Sequence, residues 1–164
     1  MKILICGLPG SGKTWLAERL VKKIDNCAWY NADFVRRSSN DWDFTLQGRI
    51  RQANRMKAFA DFEKSNGRWV ICDFVAPTED AREAFGAEYI IWLDTIKKGR
   101  VVSSKLDQLK NFDDLPFDVN SLSKSKEFEE TNNWFEEPKK INKQITHFLN
   151  NSEIIALAKE ILNV

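Results

Sequence analysis

A single histidine, His147, and only three cysteines in 164 residues leave little from which to build a zinc site or a disulfide framework. Cys6, Cys27 and Cys72 are odd in number, far apart and set beside apolar residues, so buried, reduced thiols are expected. Net charge is nearly absent as well. The 25 Lys and Arg stand against 24 Asp and Glu, a formal +1, which removes any global pull toward nucleic acid or an anionic bilayer and makes any anion site a local one. No apolar run approaches the roughly 20 residues that span a bilayer. No internal repeat is visible, and the apolar stretch of the opening Met-Lys-Ile-Leu-Ile-Cys-Gly is too short for a signal peptide. These absences predict a cytoplasmic chain with no membrane partner. The composition, 43% apolar and 30% charged, fits one domain over residues 1–164. A chain of this length can bury roughly 70% of its unfolded surface.

Apolar runs of strand length alternate with longer helical patterns, the signature of βα units on a parallel sheet. Strands are predicted at Lys2 to Cys6, Ala28 to Asn31, Trp69 to Phe74, Tyr89 to Asp94 and Gln144 to Leu149. Lys13 to Ile24 sets Leu16, Leu20 and Ile24 on one helical face. Leu46 to Lys64 does the same with Leu46, Ile50, Ala53 and Phe59 before Asn66-Gly67 stops it. A short helix should follow the cap Thr78, and Ser152 should cap a last helix carrying Ile155, Ala158 and Leu162. The stretch from about 101 to 140 is polar, with isolated Leu and Phe, and reads as a lid or insertion.

Gly7-Leu8-Pro9-Gly10-Ser11-Gly12-Lys13-Thr14 is a complete G-x-x-x-x-G-K-[ST] pattern. At average residue frequencies it arises by chance in roughly one chain of this length in two hundred. Here it also lies between a strand and an amphipathic helix, as its chemistry requires. Gly7, Pro9, Gly10, Ser11 and Gly12 form a loop whose amides can surround phosphates, and the helix beginning near Gly12 adds its positive end. Lys13 can reach the β and γ phosphates, and Thr14 can ligate Mg²⁺. The metal needs an acidic partner, and the apolar strand Trp69-Val70-Ile71-Cys72-Asp73 ends in one, so Asp73 is the candidate. The rival reading is an Asp closing a strand end. Asp94, at the end of Tyr89 to Leu93, repeats the signal more weakly.

After the second strand, Asn31-Ala32-Asp33-Phe34-Val35-Arg36 sets a carboxylate and a guanidinium three residues apart where the chain leaves the sheet. Ligands of parallel sheets bind at the carboxyl ends of the strands, so Asp33 should face the phosphate loop's crevice. There it could orient an acceptor hydroxyl while Arg36 holds an anionic group. The alternative is an Asp helix cap beside an exposed Arg. Residues 33 to 57 carry six basic side chains (Arg36, Arg37, Arg49, Arg51, Arg55, Lys57) against Asp33, Asp41 and Asp43, a local +3 interleaved with Phe34, Trp42 and Phe44. Aromatic rings there offer surfaces on which a base could stack. Arg51, Arg55 and Lys57 read as a solvated helix face. Arg49 and Gln52, at i and i+3, share one face and are the better site candidates.

In this order the motifs resemble those of adenylylsulfate (APS) kinases over most of the first 94 residues. The family reads Asp-Gly-Asp-Asn-Val-Arg after its second strand, which implies a catalytic role for Asp33 and acceptor binding by Arg36, with Asn31 replacing the first Asp and Phe34 the Asn. Its Asp-Arg-x-x-Asn looks like Gly48-Arg49-Ile50-Arg51-Gln52, which implies acceptor binding by Arg49 and Gln52. Its Phe-Ile-Ser-Pro is similar to Phe74-Val75-Ala76-Pro77. Phe128 to Pro138 loosely follows the family's lid exit, and the basic stretch of its lid is absent. The loop, the Asp-x-x-Arg spacing and Asp73 also resemble polynucleotide 5′-kinases and phage kinases of hydroxymethylpyrimidines in DNA.

The expectation is therefore a three-layer α/β P-loop NTPase fold with a central five-stranded parallel sheet and a lid insertion. It would act as an ATP-dependent, Mg²⁺-assisted kinase with adenylylsulfate as its acceptor. Lys13 and Asp33 would be catalytic, Thr14 and Asp73 would hold the metal, and Phe34, Arg36, Arg49 and Gln52 would bind the acceptor. The alternatives are a kinase acting on DNA and a P-loop nucleotide switch. The expected partners are ATP and a small anionic nucleotide, with DNA as the alternative and a second copy of the chain as a further candidate.

Overall fold

The structure is a computed structural model and describes residues 1–97 and 135–164. Five strands are seen: β1 (Lys2–Gly7), β2 (Cys27–Asn31), β3 (Trp69–Asp73), β4 (Tyr89–Leu93) and β5 (Lys143–Ile145). They form one parallel sheet in the order β2-β3-β1-β4-β5. Every residue of β1 is buried, as expected of a central strand covered on both faces. Its side chains alternate: Ile3 and Ile5 enter one core, Leu4 and Cys6 the other.

The first core is closed by α1 (Lys13–Leu20) and α5 (Asn151–Leu162), through Leu16, Leu20, Ile154, Leu157 and Ile161. The second is closed by α2 (Ala32–Ser38), α3 (Leu46–Ser65) and α4 (Glu79–Phe85), through Val35, Met56, Ala60 and Phe85. Helices on both faces complete the three-layer architecture that the sequence predicted. Cys6 and Cys72 are buried and Cys27 half-buried, all three unpaired; burial pushes the Cys6 thiol up to about 12.

Several elements differ from the sequence reading for identifiable reasons. The predicted 13–24 helix ends at Leu20 and tightens into a 3-10 turn at Val21–Lys23, which still buries Ile24. α2 was not predicted. Asn31 caps it, accepting from the Asp33 and Phe34 amides, so Asp33 lies inside the helix and is not its cap. The last strand is Lys143–Ile145, against the predicted 144–149. The last helix is capped by Asn150 in a capping box with Glu153, against the predicted Ser152. Its buried face carries Ile154, Leu157, Ala158 and Ile161, against the predicted Ile155, Ala158 and Leu162, because the first set makes the fuller i, i+3, i+4, i+7 stripe, and Leu162 is exposed.

The largest correction concerns α3. Its buried residues are Gly48, Gln52, Met56, Ala60 and Glu63, while Leu46, Ile50 and Phe59 are exposed. Leu46, Ile50 and Ala53 instead line a cavity. Most of the predicted 101–140 lid, with the Phe128 to Trp134 part of its resemblance, lies outside the described residues. The sheet register brings Asn31 beside Asp73 and Gly7 beside Leu93 at the carboxyl edge, where the site forms.

Candidate active site

The turn after β1 returns into α1 through Gly12, whose φ of 96° lies in the left-handed region. Gly12 is the N-cap and supplies no capping side chain, so the first amides of α1 remain oriented for an anion. A Cβ there would also stand 2.7 Å from Cε1 of the exposed Phe148 ring, which would have to turn aside. Phe148 follows β5 and packs edge-on to Trp15, with ring centroids 6.1 Å apart. Lys13 Nζ donates to the Gly7 and Leu8 carbonyls at 3.0 and 2.8 Å. Pro9, Gly10, Gly12, Lys13 and Thr14 line a cavity of about 1130 Å³. Gly7 and Ser11 are buried and do not line it, and Ser11 Oγ has no hydrogen-bond partner.

Asp73, only 2% exposed at the end of β3, accepts three hydrogen bonds. Trp29 Nε1 donates to Oδ1 at 2.7 Å, and Thr14 Oγ1 and Asn31 Nδ2 donate to Oδ2 at 2.9 and 2.8 Å. Asn31 Nδ2 also donates to Thr14 Oγ1 at 2.9 Å. One Asn side chain thus caps α2 through its oxygen and aligns Thr14 with Asp73 through its nitrogen. Burial outweighs the three donors and pushes the Asp73 carboxyl up to about 6. Nothing in the sequence singled out Trp29 or this role of Asn31; the signal available was an Asn directly before a helical pattern. The weaker duplicate, Asp94, is paired with Lys97 at 2.8 Å, accepts from Gln144, and does not line the cavity.

The same cavity reaches the acceptor candidates. Asp33, Arg36, Arg49 and Gln52 line it, together with Phe44, Leu46, Ile50, Ala53 and the Asp73–Thr78 segment. Arg36 is 5% exposed, donates to the Asp41 and Asp43 carbonyls at 3.1 and 2.9 Å, and lies 4.5 Å over the Phe44 ring. Burial lowers its pKa to about 10, which leaves it charged at neutral pH. Arg49 Nε donates to the Phe44 carbonyl at 2.8 Å. Gln52 is used within the fold: Nε2 donates to Ala32 O and Oε1 accepts from Arg55. Phe34 does not line the cavity; it is 55% exposed and meets Trp29 edge-on. The local positive charge is partly balanced, with Arg51 and Arg55 on Asp41 and Lys57 on Asp61.

Comparison with known proteins agrees with this fold. The AAA domain family matches residues 3–101. A probable adenylyl-sulfate kinase from Aeropyrum pernix is 35% identical over 85 residues, 49% of this chain and 46% of that protein. The chain thus matches about half the length of this curated relative. Among solved structures, the APS kinase of Mycobacterium tuberculosis in complex with AMPPNP and APS superposes with a TM-score of 0.68. Its identity is 19%, over 99% of this chain and 95% of that one. A gluconokinase from Sinorhizobium meliloti gives 0.55 at 17% identity, over 99% and 91%. Shikimate kinase from Acinetobacter baumannii, in complex with shikimate, gives 0.52 at 18%, over 99% and 90%.

Proposed function

The chain belongs to the AAA domain family, and on that premise we propose that it is an ATP-dependent kinase of a small anionic nucleotide acceptor, adenylylsulfate in the first instance. The observation that carries this reading is a single cavity lined at once by Gly12, Lys13 and Thr14 and by Asp33, Arg36 and Arg49. A nucleotide switch needs only the first set; a transferase needs both within reach of one another. The loop amides and Lys13 would neutralise charge on the transferring phosphoryl group, Asp33 would orient the acceptor hydroxyl and take its proton, and the two arginines would hold the acceptor's anionic group.

The residues also fit Mg²⁺. A hydroxyl and a carboxylate, Thr14 and Asp73, meet at 2.9 Å. No cluster of three His, Cys, Asp or Glu occurs among the described residues, in keeping with an ion that takes one or two oxygen ligands from protein and the rest from phosphate and water. The ion would supply further charge neutralisation at the phosphates.

Asp73 gives this pairing a pH signature. The site holds the ionised carboxylate, whereas burial favours the protonated one, so proton and cation compete. Activity at low Mg²⁺ should fall as pH drops through about 6, and raising Mg²⁺ should carry that limb to lower pH. Rate profiles at several Mg²⁺ concentrations check this; an acidic limb that ignores Mg²⁺ contradicts the assignment of Asp73.

The acceptor assignment rests on the walls as well as on the likeness to the Aeropyrum protein. Phe44, Leu46, Ile50, Ala53 and Val75 present apolar surface suited to the face of a purine, which a polyhydroxylated acid would leave poorly matched. DNA is disfavoured because the Arg51 and Arg55 guanidiniums are engaged by Asp41. Acceptor affinity across a salt series tests the choice. A polymer meeting several arginines would add about −0.7 to −0.9 per phosphate to the slope of log affinity on log salt. The expected slope is shallow, near the value for one or two contacts, and a steep one overturns the small-acceptor reading.

A further inference from the structure

Both arginines proposed for the acceptor are held by the same short loop. Arg36 gives one terminal nitrogen to the Asp41 and Asp43 carbonyls, and Arg49 gives Nε to the Phe44 carbonyl. Carbonyls can aim a guanidinium only as well as their own chain is fixed, and a loop between two helices is not rigid by default. Here it is tied down by charge. The Asp41 carboxylate receives Arg51 Nε at 2.6 Å and Nη2 at 2.8 Å, a bidentate pair, and Arg55 Nη2 at 2.6 Å. Asp41 is 10% exposed at its side chain, so water screens this cluster less than a surface pair.

The ties extend to both sides. Asp43 Oδ1 accepts from the Thr45 amide at 2.9 Å, and Thr45 caps α3 by accepting from the Gly48 amide at 3.2 Å. The loop packs so closely that a Cβ on Gly48 would overlap the Asp43 carbonyl and carboxyl carbon. On the other side Arg55 bonds Gln52, whose amide reaches Ala32 O, the residue before Asp33. The cluster therefore connects Arg36, Arg49 and Gln52, and none of these bonds involves the phosphate loop or Asp73.

We propose that Asp41, clamped by Arg51 and Arg55 of α3, is the positioning residue of the acceptor site: it fixes the 41–45 loop whose carbonyls aim Arg36 and Arg49. This rests on the kinase reading above and assigns a role to the basic residues that the fold leaves at the surface. Asp41 itself meets no substrate; it acts through the two arginines.

The test is Asp41→Asn in the full chain, which keeps the side-chain shape and removes the charge. With ATP and adenylylsulfate as substrates, KM for the acceptor should rise roughly 10- to 100-fold, the range expected when a positioning contact loosens. KM for ATP should stay within about twofold. Asp41→Glu, which returns a carboxylate, should recover most of the loss, and Arg55→Lys should give the same split more weakly if Asp41→Asn folds poorly. Equal rises in both KM values, or no rise in the acceptor's, overturn the proposal. If the wild-type chain phosphorylates no acceptor, the kinase reading fails and amide exchange decides the clamp alone. Faster exchange at Thr45 and Gly48 in Asp41→Asn, with β1 unchanged, supports it, and unchanged exchange there overturns it.

Discussion

Lys13→Ala is expected to lower phosphoryl transfer by at least about 10²- to 10³-fold, the cost of removing one preorganised donor from a developing charge. The side chain stands where that charge would develop, since Nζ lies within 3.0 Å of the Gly7 and Leu8 carbonyls in the loop that lines the cavity. Lys13 belongs to neither hydrophobic core, so little apolar burial is lost with it. The melting temperature should accordingly move by only a few degrees, as for a change of about 1 kcal/mol or less. A labelled γ-phosphate assay beside a thermal melt measures both quantities. Full transfer by a folded Lys13→Ala protein contradicts the phosphate-loop assignment.

Asp33→Asn should reduce kcat by roughly 10²- to 10⁴-fold, the range for a positioned general base, and leave ATP affinity nearly unchanged. The separation follows from where Asp33 sits. Its backbone amide is the group bonded to the Asn31 cap, and that bond survives the substitution. The groups offered to a cation, Thr14 and Asp73, are bound to one another and to Asn31 and Trp29. Steady-state kinetics in both substrates, with nucleotide binding measured independently, separate the two effects. Loss of nucleotide affinity equal to the loss in kcat would move Asp33 into the metal's surroundings.

What the sequence revealed and what it hid divide along local and non-local lines. The phosphate loop, Asp73 and the Asp33–Arg36 pair were legible because each is a short pattern at the end of a strand, and a parallel sheet gathers strand ends at one edge. Asn31 was read only as a departure from a family pattern. Its part in the site depends on the register that sets it beside Asp73, 42 positions away in the chain. α3 misled for a different reason: Leu46 and Ile50 sit at helical spacing as core residues would, and periodicity cannot tell a wall of a cleft from a face on a sheet. Counting charge between residues 33 and 57 gave a basic stretch. It could not show that Asp41 pairs with arginines 10 and 14 residues onward, which turns part of that stretch from a surface for polyanions into an internal clamp. The capping box at Asn150 and Glu153 was present in the sequence, as was the i, i+3, i+4, i+7 spacing of Ile154, Leu157, Ala158 and Ile161 that makes the buried face of α5.

The central claim, transfer to an acceptor hydroxyl as opposed to binding or hydrolysis, is tested most directly by one assay. The chain is given γ-labelled ATP and Mg²⁺ with adenylylsulfate, a 5′-hydroxyl oligonucleotide and hydroxymethylpyrimidine DNA in parallel reactions, and label is followed into acceptor and into free phosphate. The account predicts label on adenylylsulfate, little on either DNA, and free phosphate well below transferred phosphate. Label released only as free phosphate, unchanged by any acceptor, would contradict it and leave a nucleotide hydrolase or switch in its place.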